Sequence, residues 1–155
     1  MDRDFLRHCI ATLAYRGSKA LRGAPDGFSA FRAAQGSRSA GEILAHIGDL
    51  LDWALWLAKG EHKWEPRPPQ EWTQDVTRFH DGLAALDAYL KSDARLGNPV
   101  DKLFQGPIAD AFTHVGQIGL LRRLAGAPVK GENYFRAEIS MGRVGSEQAT
   151  PVREF

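Results

Sequence analysis

Three side chains on two predicted helices have the types and spacing of a metal site. His46, in "EILAHIGDLL", shares the face of the apolar residues three before and four after it, which predicts that it points inward. Asp110 and His114, in "PIADAFTHVGQIGLLRRLAG", are four residues apart and therefore stack on one helix face, which is predicted to point into the core. Two imidazoles and a carboxylate suit a divalent transition metal and leave coordination positions open, as catalysis requires.

The same three residues also have an ordinary structural interpretation. A histidine on a helix face is often a packed, hydrogen-bonded residue, and no ion is needed to explain it. Asp110 lies near the predicted start of its helix, where a carboxylate complements the positive end of the helix dipole. Spacing alone therefore permits a metal site at His46, Asp110 and His114 without requiring one.

Four segments have the apolar periodicity of amphipathic helices, and no strand-like alternation competes with them before residue 127. The sequence therefore predicts an all-α fold, a four-helix bundle in a single domain over residues 1–155. The bundle is expected over about 4–126. The predicted helices are residues 4–21, 39–60, 71–91 and 107–126.

Capping signals define the ends of the second and fourth helices. Ser39 and Glu42 have the spacing of a capping box, and Gly60 is a predicted stop. Pro107 is predicted in the first turn of the fourth helix, because its fixed φ suits that position and it lacks the N–H a later position needs. Gly126 is predicted to end that helix in the left-handed conformation. In the first helix, Phe5 is expected to begin the buried stripe.

The proline-rich connection "GEHKWEPRPPQ", residues 60–70, bears on topology. Proline-rich chain extends by about 3.1 Å per residue, so this segment reaches roughly 30 Å, about the length of a twenty-residue helix. It could run back along the bundle and leave the second and third helices parallel, which gives an up-down-down-up order. A simple antiparallel turn is the alternative.

The last segment, residues 127–155, is too rich in glycine and too weakly periodic for another long helix. It is predicted to be an irregular C-terminal arm that wraps the bundle or reaches a partner subunit. Its apolar side chains are the expected docking residues: Tyr134, Phe135, Ile139 and Met141.

Composition excludes several classes of function. The chain has 20 basic and 19 acidic side chains, a balance without the positive excess that nucleic-acid binding needs. Its one cysteine, Cys9, cannot form an internal disulfide, which suits a reducing compartment. No signal-peptide pattern or membrane-length apolar run is present. We therefore expect a cytoplasmic protein that binds neither nucleic acid nor membrane.

Two motifs resemble the DinB/YfiT-like superfamily of four-helix-bundle metalloenzymes. They are "SAGEILAHIGDLLDW", which contains His46, and "THVGQIGLLRRLAG", which begins at Thr113 and contains His114. In that family a divalent metal is held by one histidine of the second helix and an H-x-x-x-H pair of the fourth. The resemblance assigns His46 and His114 to the first and last ligands and puts Asp110 in place of the remaining histidine. A carboxylate is an acceptable ligand for the same ions.

The resemblance implies a metal-dependent transferase or hydrolase. A zinc, nickel, iron or manganese ion would activate a thiol or water for S-transfer or hydrolysis of a small-molecule substrate, with a low-molecular-weight thiol as a cosubstrate and a homodimer as the assembly. The alternative is a metal-free helical binding or assembly module. In that case the module acts through its tail and tryptophans, and Asp110 pairs with His46 in a hydrogen-bonded core.

Overall fold

The computed structural model describes residues 2–155, and this part of the chain has an all-α fold with irregular connections. The helices are α1 (Arg3–Leu21), α2 (Ala40–Ala58), α3 (Trp72–Lys91), α4 (Val100–Leu103) and α5 (Ala109–Leu124). Two short 3₁₀ turns accompany them, and no β-strand occurs within residues 2–155 beyond two isolated bridges. Among the described residues, no helix is both long enough and apolar enough to cross a membrane.

The four long helices share one apolar core. α1 and α2 each pack against both α3 and α5. Burial of this many large aliphatic side chains is the main favourable contribution to folding. The largest fully buried side chains are Leu6, Ile10, Leu13, Leu44, Ile47, Leu50, Leu51, Phe79, Leu83, Leu86, Leu90 and Leu103.

Polar contacts show which helix ends lie together. Just after α3, the Gly97 N–H donates to the Ala58 carbonyl at the last residue of α2 (2.9 Å). Near the start of α1, the Arg7 guanidinium donates to Asp87 in the second half of α3. Late in α5, the Arg122 guanidinium donates to the Ala20 carbonyl in the last turn of α1 (2.9 Å).

The predicted capping signals of α2 and the stop of α5 are confirmed. The Glu42 N–H donates to the Ser39 hydroxyl (3.2 Å), and the Ser39 N–H donates to the Glu42 carboxylate (2.7 Å). Gly60 and Gly126 follow their helices with φ of 86° and 76°, a conformation that favours glycine. These residues therefore fix where α2 begins and where both helices end.

The prediction that Pro107 begins the fourth helix is wrong. Helical backbone starts at Val100 and continues through a π-helical turn, Phe104–Ile108, which contains Pro107 and leads directly into α5. A π-helical turn accommodates a proline inside a helix because its altered hydrogen-bond spacing relieves the requirement for the missing N–H. Pro107 therefore lies inside the helical segment and does not mark its start.

Some of the side chains predicted to be buried or docked are exposed in the structure. Phe5 is 53% exposed, so the buried stripe of α1 begins at Leu6. In the C-terminal arm, Phe135 and Met141 are also exposed, whereas Val144 and Glu132 are buried. The Glu132 carboxylate accepts hydrogen bonds from the Tyr15 hydroxyl and the Lys19 ammonium of α1. Of the predicted docking residues, Tyr134 does contact α1, because its ring packs edge-to-face on Tyr15 and under the Arg16 guanidinium. The arm is therefore attached to α1 through Tyr134 and the buried Glu132 carboxylate.

Candidate metal centre

The three predicted ligands come together where α2 packs against α5. His46 lies in the second turn of α2, and Asp110 and His114 lie in the first two turns of α5. One nitrogen or oxygen atom from each residue lies within 4.8 Å of those of the other two. The imidazole planes of His46 and His114 are nearly perpendicular, with ring centroids 4.7 Å apart. The cluster could therefore hold a metal ion.

The cluster lies at the edge of the core and not inside it. The side chains of His46 and His114 are 18% and 10% exposed, while that of Asp110 is 48% exposed. The prediction that Asp110 points into the core is therefore wrong in part, since its carboxylate faces solvent as well as the histidines. An edge position gives a small molecule access to the three donors.

No hydrogen bond joins these three side chains to one another. The Asp110 carboxylate oxygens lie 3.7 Å from His46 Nε2 and 3.4 Å from His114 Nε2, and neither contact has hydrogen-bond geometry. Ligands bound at 2.0–2.2 Å to one ion are roughly 3.0–3.5 Å apart. The His114 to Asp110 separation fits such a site, and the His46 to Asp110 separation slightly exceeds it. A hydrogen-bonded His46–Asp110 pair, expected for a metal-free core, is not formed.

The helix-dipole interpretation of Asp110 loses its basis in the structure. Helical backbone is continuous from Val100 to Leu124, so Asp110 lies well inside a helical segment and not at its first turn. The N–H groups that create the positive helix end belong to the residues near Val100. Asp110 therefore does not act as the dipole-complementing residue of a helix start.

Gln117 positions the His114 ring, a role the sequence analysis did not assign. His114 Nδ1 lies 2.8 Å from the Gln117 side-chain carbonyl oxygen, which can only accept a hydrogen bond, so Nδ1 carries the proton. The lone pair is then on Nε2, the atom that faces Asp110. Metal-bound histidines commonly have such a partner on their other nitrogen. Gln117 follows His114 by three residues on the same helix. That spacing places two side chains on one face, and it is the signal in the sequence that could have predicted this contact.

The surroundings of His46 favour its neutral form. Burial lowers the pKa of His46, and the positive charge of Arg38 together with the neighbouring His114 lowers it further, against the opposing effect of Asp110 and Asp49. A neutral imidazole has a lone pair available for an ion, whereas an imidazolium has none. The environment of His46 is thus compatible with ligation at neutral pH.

The connection between α2 and α3 forms a wall beside the cluster. Trp64 packs edge-to-face on the His46 ring, with centroids 5.8 Å apart, and also contacts Trp53. The segment is held to α2 by the Arg67 N–H, which donates to the Asp49 carboxylate (3.0 Å). Between this segment and α2 lies an open cleft of about 320 Å³, and His46 forms part of its lining. Sequence reasoning placed none of these linker residues at the site.

The remaining histidines do not join the cluster. His80 on α3 places its Nδ1 3.2 Å from the Val144 carbonyl of the C-terminal arm. His62 packs on the Trp53 ring, and His8 is exposed on α1. Within residues 2–155, one group of histidine, cysteine, aspartate and glutamate side chains has the proximity that a metal ion requires.

In comparisons with protein-family models, curated proteins and solved structures, nothing matches this chain. The chemistry of the site is therefore inferred from its own geometry.

Proposed function

We propose that His46, Asp110 and His114 bind a divalent transition metal and that the protein is a metal-dependent enzyme acting on a small molecule. The observation that carries the proposal is the convergence of three donor groups at an accessible edge with no hydrogen bonds among them. Buried or partly buried polar groups normally find partners, and functional sites are the common exception.

Each ligand has a distinct role in this proposal. His114, oriented by Gln117, and the neutral His46 supply nitrogen lone pairs, and Asp110 supplies the one negative charge. A divalent ion bound there would lower the pKa of a coordinated water or thiol, so that a nucleophile forms at neutral pH. Trp64 shields one side of the site from solvent, which strengthens the electrostatic interactions there.

We also propose the up-down-down-up arrangement of a four-helix bundle for α1, α2, α3 and α5. It is supported by the contacts between the C-terminal ends of α2 and α3 and between those of α1 and α5. The pairing of Arg7 with Asp87 supports an opposite direction for α1 and α3. Such an arrangement brings the second and last helices side by side at the metal centre.

The reaction class we propose is hydrolysis or S-transfer, in keeping with the DinB-like resemblance, which itself remains a proposal. Zinc, nickel, iron and manganese all accept two imidazoles and a carboxylate. The low-molecular-weight thiol, the homodimer and the cytoplasmic location stay predictions from the sequence.

The test is the metal content of untagged protein purified without chelators and measured by elemental analysis. We expect close to one transition metal per chain in the parent protein and a near-complete loss in His114→Ala. His8→Ala is the matched control, because His8 is an exposed helical histidine away from the cluster. Equal metal content in parent and His114→Ala, or an empty parent that also rejects added zinc, nickel, iron and manganese, would contradict the proposal.

Metal-loaded and metal-free protein should then be compared on thiol-transfer and ester or amide hydrolysis substrates. Activity that appears only in the loaded protein and is absent from Asp110→Ala supports an enzymatic role. Activity that survives removal of the metal would place the reaction elsewhere on the protein.

A further inference from the structure

The cleft beside His46 is lined by two acidic and two basic side chains. Its walls come from the start of α2 and from the proline-rich connection, and its charged lining residues are Arg38, Glu42, Asp49 and Arg67. Two positive and two negative charges cancel in number. The acidic and basic side chains differ, however, in how fully other protein groups pair with them, and this difference determines the charge that a ligand in the cleft encounters.

Both acidic residues of the cleft are already neutralised by protein groups. The Glu42 carboxylate accepts two hydrogen bonds from the Arg32 guanidinium (2.8 and 3.0 Å) and a third from the Ser39 N–H. The Asp49 carboxylate accepts one from Arg78 (2.8 Å), which also donates to Asp52 (2.7 Å), and one from the backbone of the linker. Neither carboxylate is available to attract a cationic ligand.

The two arginines are much less engaged. The Arg67 guanidinium lies 3.5 Å from the Asp52 carboxylate and is 57% exposed, so its pairing is long and solvent-screened. Arg38 is exposed and has neither an ion pair nor a side-chain hydrogen bond with any residue in the range 2–155. Arg38 therefore presents to the cleft a positive charge that no ion pair engages, and Arg67 adds one that is only weakly paired.

The proposed metal would add to this charge. A divalent ion held by two neutral imidazoles and the Asp110 carboxylate would leave a net charge of one positive unit. Of the three proposed ligands His46 lines the cleft, and so does Arg38. A single molecule with an anionic group is the chemical class that matches both.

We propose that the cleft binds a small organic anion, whose carboxylate or phosphate pairs with Arg38 while Arg67 lies alongside. The inference rests on the proposed function, because it identifies the substrate class of the same metal centre. A guanidinium matches both oxyanions through parallel N–H donors. Trp64, 45% exposed and packed against His46, offers an apolar surface for the rest of the molecule.

The experiment is a titration of the zinc-loaded full-length chain followed by tryptophan fluorescence, since Trp64 lines the cleft. Succinate, its neutral diamide succinamide, and glycerol phosphate are the probes. Succinate and glycerol phosphate separate the carboxylate and phosphate forms of the ligand, and the diamide measures binding without charge. Each protein sample is analysed for zinc before the titration.

We expect an anionic probe to bind more tightly than the diamide. Arg38→Gln should weaken this binding by about tenfold or more, the effect of losing a hydrogen bond to a charged group. Arg67→Gln should weaken it less, because Asp52 shares that guanidinium. The matched control is Arg136→Gln, an exposed arginine on the C-terminal arm without an ion pair among the described residues.

Two results would overturn the inference alone: zinc-loaded protein that binds the anions no better than succinamide, and Arg38→Gln protein that binds them as tightly as the Arg136→Gln control. Failure of the parent protein to hold zinc is a different result, seen in the metal analysis. It contradicts the proposed function, and the substrate inference with it.

Discussion

Two clusters of charged and polar side chains, each joining a pair of helices, are built in opposite ways. Between α1 and α3, the Arg7 guanidinium donates two hydrogen bonds to the Asp87 carboxylate, at 2.9 and 3.2 Å, and both side chains are about 10% exposed. Between α2 and α5, Asp110 lies 3.4 Å from His114 and 3.7 Å from His46, and no hydrogen bond joins the three side chains.

The difference separates a pair with a structural role from a group that could hold a metal ion. A buried pair that satisfies its own hydrogen bonds needs nothing else, and it fixes how two helices pack. Asp110 lies within ion-pair distance of both histidines but shares no hydrogen bond with either. The three donor groups could hold a metal ion, and two imidazoles with a carboxylate suit a divalent transition metal.

The largest effect is expected from breaking the structural pair. Asp87→Ala leaves the buried Arg7 guanidinium with only the exposed Asp4 carboxylate, 3.7 Å away, and should lower the free energy of unfolding by about 3 kcal/mol. Urea denaturation followed by circular dichroism measures this. The double variant Arg7→Met, Asp87→Leu is the control and should recover most of the loss. A loss below about 1 kcal/mol in Asp87→Ala would show that the pair does not hold α1 to α3.

A smaller effect is expected when support for the metal ligand is removed. Gln117→Ala takes away the acceptor that orients His114, so zinc affinity should fall by about 10- to 100-fold. Competition with a chromogenic chelator measures the affinity. Gln35→Ala, in an exposed loop, is the control and should bind zinc as the parent does. Unchanged affinity in Gln117→Ala would show that the hydrogen bond to His114 Nδ1 has no part in binding.

Asp110→Asn should have little effect on the metal-free protein. Its carboxylate is 48% exposed and makes no hydrogen bond to either histidine, so the free energy of unfolding should change by no more than about 0.5 kcal/mol. The same variant should bind zinc more weakly, because the only charged ligand is lost. A strong destabilisation of the metal-free protein would instead make Asp110 a structural residue like Asp87.

The smallest effect concerns the exposed ion pair at the start of α2. Hydrogen bonds from Arg32 and from the Ser39 backbone lower the pKa of Glu42 to about 2, well below the value in an unfolded chain. A carboxyl whose pKa is depressed by folding stabilises the fold above its unfolded pKa. That contribution is lost as the pH falls from about 4.5 toward 2.

Glu42→Gln should therefore flatten the pH dependence of stability in this acidic range and leave it unchanged above pH 5. Denaturation at several pH values compares the variant with the parent protein. Identical acid profiles would mean that Glu42 titrates in the folded protein as it does in the unfolded chain.

Helix periodicity explains what the sequence could predict. His46, Asp110 and His114 were placed on facing helix sides by spacings of three and four residues, and the structure brings them together. Ser39 and Gly126 marked helix ends because each has a local conformational reason to be there. Local rules of this kind do not depend on the rest of the fold.

The features that escaped prediction depend on tertiary contacts. Trp64 and Arg67 lie in a segment without periodicity, so nothing local indicates that they form the wall beside His46. Pro107 was misplaced because a π-helical turn can hold a proline that ordinary helix rules assign to a helix start. Phe135, although aromatic, has no partner surface within residues 2–155 and remains 97% exposed.

The most direct test of the metal centre is zinc-edge X-ray absorption of the parent protein loaded with one equivalent of zinc. The proposed ligands predict nitrogen and oxygen neighbours at about 2.0–2.2 Å, with the outer-shell scattering of two imidazole rings. A spectrum with no imidazole or only one, or with a sulfur neighbour at about 2.3 Å from Cys9, would contradict ligation by His46, Asp110 and His114.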